Sequence, residues 1–148
     1  MSASFSPTVI DSLLAAGWHE GRCVSTKEYE NLGCELFPTA RQVLQEFAGL
    51  HIGNCGPGRE CATSDVNIDP LLATHLAEEL RGYGRRLGTQ LYALGDFQHS
   101  HGYILIDEFG KSYLLNDEMI PFAQSFADAL EKLICGLLPD PQDGPGEF

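Results

Sequence analysis

A chain of 148 residues, 43% hydrophobic and 20% charged, is long enough to bury a core and too apolar to remain disordered. Its formal charge of −12 is unevenly placed: from Leu87 onward two lysines, Lys111 and Lys132, face ten acids. Such a field repels phosphate backbones and anionic lipid surfaces, which disfavours nucleic acid and peripheral membranes as partners and favours a basic protein, the alternative being that the acidity serves solubility alone.

Taken in chain order, Ser6-Pro7 reads as an N-cap and first helical position. Val9, Ile10, Leu13 and Leu14 then share a face before Gly17 ends the helix. Ser25-x-x-Glu28 has the form of a capping box opening a short helix closed by Gly33, and Thr39-x-x-Gln42 repeats that logic. Ala40, Val43, Leu44 and Phe47 give the stripe of an amphipathic helix ended by Gly49. A short strand is expected over 50–52 and a second around Val66 and Ile68, with a glycine-rich loop between them. Asp69-Pro70 starts a helix carrying Leu72, Leu76, Leu80 and Tyr83, frayed by Gly82 and Gly84.

Strands follow over 90–94, 103–107 and 112–115, an antiparallel meander with Phe109-Gly110 at one turn. Ser125 caps a last helix whose apolar face is Phe126, Ala129, Leu130, Leu133, Ile134 and Leu137. Three prolines and two glycines among the final ten residues mark a disordered tail. The fold class expected is therefore α+β, an antiparallel meander packed against several helices, with one domain over 1–138 and a tail over 139–148.

The chain carries no GxxxxGK[ST] loop, no GxGxxG after a strand, no HExxH and no GxSxG. Zinc-deaminase spacing fails as well, because His19 and Glu20 are adjacent and Cys55 precedes Cys61 by six positions. His51, Cys55 and Cys61 offer three soft ligands without an evident fourth, so buried thiols acting as small hydrophobes are expected there. His99-x-His101 falls in a hairpin turn and is read as solvated. Cys23, Cys34, Cys55, Cys61 and Cys135 form an odd, scattered set, expected as reduced thiols, and no apolar run is long enough to cross a bilayer. A cytoplasmic protein is expected, with no metal and no cofactor. Trp18 is read as a core anchor beside Gly17, and Arg22 as a stabiliser of the turn or a partner for an acid.

Three stretches, in this order, carry a specific likeness: Ala15-Ala16-Gly17-Trp18-His19-Glu20-Gly21-Arg22, then Leu44-Gln45-Glu46-Phe47-Ala48-Gly49-Leu50, then Leu91-Tyr92-Ala93-Leu94-Gly95-Asp96 leading to Ile104-Leu105-Ile106-Asp107-Glu108-Phe109-Gly110-Lys111-Ser112-Tyr113. From about Ser12 to Leu138 the chain resembles the third SUKH subfamily of bacterial immunity proteins. It departs from the family pattern in Ala48, where a second glycine is frequent, and in Ala93, where proline is frequent. The resemblance implies an α+β domain that binds and neutralises a protein toxin, typically a nuclease or another nucleic-acid-modifying enzyme passed between bacterial cells. It implies no catalytic residue, so binding and not catalysis is expected. Related domains also serve as scaffolds or adaptors, which is the alternative reading. The toxin-binding surface is expected at the acids of the meander, Asp96, Asp107, Glu108, Asp117 and Glu118.

Overall fold

The computed structural model describes residues 5–98 and 101–139. Its frame is a six-stranded antiparallel sheet in which spatial order follows chain order: β1 His51–Ile52, β2 Val66–Asn67, β3 Leu91–Phe97, β4 Gly102–Asp107, β5 Ser112–Leu115 and β6 Met119–Ala123. The α helices are α1 Pro7–Ala16, α2 Pro38–Phe47, α3 Ala77–Leu87 and α4 Phe126–Cys135. The expected α+β class is the observed one.

Helices cover both faces of the sheet. Against one face, Val9 and Leu13 of α1, Ala40, Leu44 and Phe47 of α2, and Phe126, Leu130 and Leu133 of α4 pack on Tyr92, Leu94, Ile104 and Ile106. Against the other, Ala73, Leu76 and Leu80 meet Leu91, Ala93, Leu105, Tyr113 and Met119. Alternate residues of a strand point to opposite faces, so a strand covered twice is apolar on both sides. Every residue of β3 is accordingly buried, and periodicity alone could not mark where that strand ends. It runs on to Phe97 through an irregularity at Ala93/Gly95, where a Cβ on Gly95 would lie 1.7 Å from the Asn67 carbonyl oxygen.

Several local expectations change. Helix α2 starts at Pro38 with extended Phe37 as N-cap, so Thr39 is not a cap; the fixed φ of proline suits the first helical position. The segment opened by Ser25 is only a 3₁₀ turn over Lys27–Tyr29, although the Ser25 hydroxyl does accept from the Lys27 amide at 3.3 Å. Asp69 caps as expected, but the helix it opens is a 3₁₀ segment over Pro70–Leu76, kinked at Ala73, that leaves Leu72 exposed. Helix α3 continues past Gly82 and Gly84 to Leu87. A Cβ on Gly84 would come within 2.6 Å of the Thr89 carbonyl, so close packing and not fraying accounts for that glycine. Strand β6 was masked in the sequence by Pro121, which an edge strand tolerates. Helix α1 keeps its expected caps, Ser6 and Gly17, and α4 its expected cap Ser125, but α4 stops at Cys135 with left-handed Gly136 as C-cap, so Leu137 lies beyond it. The tail expected beyond Leu138 falls, from residue 140 onward, outside the described residues.

Candidate partner-binding surface

The five acids of the meander do not form one patch. Asp96 and Asp107 are each only 3% exposed, which corrects the expectation that they face a partner. Burying a carboxylate is costly without donors, and both have them. Asp96 accepts from the Asn67 side-chain amide at 2.9 Å across the β2–β3 pairing. Asp107 accepts from the Phe109 amide at 2.9 Å, the Lys111 amide at 3.0 Å and the Tyr113 hydroxyl at 2.8 Å. Burial first, and then the hydrogen bond to Asp107, raise the Tyr113 phenol above its ordinary range.

Glu108, Asp117 and Glu118 are exposed. Glu108 belongs to the β4–β5 turn, whereas Asp117 and Glu118 belong to the β5–β6 turn at the opposite end of β5. Four strand residues separate the two turns by roughly 13 Å, beyond the screening length at physiological salt. The exposed acids therefore stand at two separate turns and not in one contiguous cluster.

The β4–β5 turn is the more constructed of the two. Beyond the three bonds to the Asp107 carboxylate, the Thr39 hydroxyl lies 3.1 Å from the Asp107 carbonyl and 3.2 Å from that of Glu108, with both oxygens as acceptors. The Glu108 carboxylate accepts from the Gln90 amide at 2.8 Å and the Thr89 hydroxyl at 3.2 Å. Gly110 supplies the left-handed residue, φ +92°, that closes the turn. At the tip, Phe109 is 82% exposed. On one side of the turn a groove of about 460 Å³ runs between α2 and the start of α4, lined by Phe5, Val43, Phe47, Phe126 and Gly110 and edged by Arg22. On the other side Thr89 and Gln90 border a cavity of about 370 Å³ beside Arg81 and Arg85 of α3. Sequence reasoning saw Phe109-Gly110 only as punctuation; an aspartate two residues before an aromatic-glycine pair was the available signal for a braced, protruding ring.

The Gly17-Trp18-x-x-Gly21-Arg22 element is architectural. Arg22 donates from Nη1 to the Glu46 carbonyl at 2.7 Å and from Nη2 to the Ala48 carbonyl at 2.8 Å, clamping the end of α2, where helix carbonyls lack intrahelical partners. Trp18, half-buried, donates from Nε1 to Glu46 Oε2 at 3.0 Å while its ring packs on the core.

Cys55 and Cys61 are exposed, which corrects the expectation of buried thiols, and the five cysteines are free. His51 lies 2.7 Å from the buried Asp65, whose other carboxylate oxygen accepts from the Cys55 thiol at 3.5 Å. Among the described residues no group of three or more His, Cys, Asp or Glu is arranged to hold a metal ion. His101 is exposed at the β3–β4 connection, and His99 lies outside the described residues. Among the described residues no helix is long and apolar enough to cross a membrane.

No curated protein and no solved structure matches the chain. The family model of the SUKH-3 immunity protein matches residues 5–136. That span begins one residue before the cap of α1, ends at the cap of α4, and contains the Arg22 clamp, all six strands and the braced turn. The chain belongs to the SUKH-3 immunity protein family.

Proposed function

We propose that this chain protects its cell by binding a protein toxin in the cytoplasm, without catalysis of its own, and that the toxin is a nuclease or another enzyme acting on nucleic acid. Membership of the SUKH-3 immunity family carries the reading. The chain's charge of −12 supports the choice of toxin. An enzyme that docks phosphates presents cations, and a carboxylate-rich protein competes for that surface. Glu108, Asp117 and Glu118 contribute as exposed charges, while Asp96 and Asp107 serve the fold. As exposed charges, Asp117 and Glu118 act mainly through the field that steers encounter, and their signature lies in the on-rate.

The test looks for a toxin domain encoded beside this chain's gene and uses it in an inactivated form that can be purified. The wild-type chain binds it, and protects cells that express the active form. Asp117→Lys with Glu118→Lys slows association several-fold at low salt, and the difference fades as salt rises. An unchanged on-rate and salt dependence overturns the electrostatic part. Absence of binding and protection by the wild-type chain overturns the function.

A further inference from the structure

We propose that Phe109 is the anchor of the toxin interface: the β4–β5 turn is a rigid mount that inserts this ring into an apolar pocket of the toxin bordered by a lysine or arginine. The inference rests on the immunity reading and names the contact through which it works.

Three observations carry it. Phe109 is 82% exposed at the tip of its turn, the most exposed of the large hydrophobic residues described. An exposed phenyl ring gives the folded chain little, so its own core does not account for it. The turn beneath it is fixed more firmly than a solvent loop requires. The Asp107 carboxylate holds the backbone amides on both sides, those of Phe109 and Lys111. The Thr39 hydroxyl holds the carbonyls of Asp107 and Glu108, and the Glu108 carboxylate ties the turn to Thr89 and Gln90. A pre-ordered aromatic loses little conformational freedom on docking, the property that makes buried aromatics dominate interfaces.

Charge sets the chemistry of the partner. Glu108 engages its neighbours through Oε2, and its Oε1 has no bond among the described residues. That oxygen stands on the residue adjoining the ring, so a pocket that accepts the ring gains by carrying a cation on its border. A basic toxin meets that requirement, whereas a second copy of this acidic chain would bring its own Glu108 toward the same place. The groove on the Arg22 side of the turn gives the partner's pocket rim a surface to rest on.

Phe109→Ser, Phe109→Leu and wild type are compared for binding to the same inactivated toxin domain, for thermal melting and for the mass of the free protein in solution. Phe109→Ser is expected to melt like wild type and to weaken binding by about 30-fold or more, chiefly through faster dissociation. Phe109→Leu falls between the two. In the wild-type complex, amide hydrogen exchange across 108–111 slows relative to the free chain. Wild-type affinity in Phe109→Ser refutes the anchor and leaves the immunity function standing. A change in the mass of the free protein with toxin binding intact assigns the ring to self-association and likewise refutes it. Failure of wild type itself to bind refutes the functional reading and the anchor together.

Discussion

Replacing Asp107 by alanine tests whether the turn is held by its buried carboxylate. The substitution removes three acceptor contacts: to the Tyr113 hydroxyl, which belongs to a residue 4% exposed, and to the amides of Phe109 and Lys111. Taking a charged acceptor from a buried hydroxyl costs about 1–3 kcal/mol, and each partly buried amide about 1 kcal/mol, since water reaches it on relaxation. The carboxylate's own desolvation is relieved in return, so the net loss is about 2–4 kcal/mol. For a domain of this size that lowers the melting temperature by roughly 5–15 °C. Urea unfolding of Asp107→Ala, Tyr113→Phe and the double variant completes a cycle, and the pair should couple by about 1.5 kcal/mol or more. Amide exchange at Phe109 and Lys111 should accelerate in Asp107→Ala through local opening of the turn, whereas the α1 and α4 amides should lose only the protection that corresponds to the drop in global stability. Additivity within about 0.5 kcal/mol, together with wild-type exchange at the two amides, would falsify the bracing role.

Two further outcomes follow from the same structure. Tyr29 is raised to about 12, first by burial and then by its hydrogen bond to Glu28, and burial leads the upward shifts of Tyr92 and Tyr113 as well. The native state thus holds these protons more tightly than the unfolded chain. Stability is untouched below about pH 10 and falls above it, by about 1.4 kcal/mol per pH unit for each tyrosine until its native value is passed. A urea midpoint that stays constant from pH 9 to about pH 11 contradicts this. Arg22→Lys keeps the charge and loses the fork that reaches two carbonyls at the end of α2, so it should cost about 1–2 kcal/mol; equal urea stability would remove the clamp from the account of this element.

What was legible in the sequence was the part governed by one neighbour at a time. Caps and stripes located α1 and the start of α4 because Ser6, Gly17 and Ser125 act within a turn of chain. Reading failed where a distant residue decided the matter. Thr39 resembles a cap, yet its hydroxyl bonds to the carbonyls of Asp107 and Glu108 where β4 enters its turn. Gly84 resembles a helix breaker, yet it makes room for the Thr89 carbonyl. Pro121 hid β6 because nothing local announces an edge. The candidate surface was read from charge, which counts carboxylates but says nothing of burial; Asp96 and Asp107 carry the same formal charge as Asp117 and serve the interior. Phe109 was legible only as a turn residue, because a single exposed ring has no periodicity to reveal it.

Helices on both sheet faces shield the sheet itself, so a partner meets helix surfaces, turns, loop ends and the two outer strands. At such surface positions most side-chain replacements change stability by about 0.5 kcal/mol or less, whereas replacements in the double core do not come so cheaply. Recognition and architecture are thereby written on separable parts of one chain. A lineage that must keep pace with altered toxins can rework its turn tips, ring by ring and charge by charge, without renegotiating the packing that lets it fold.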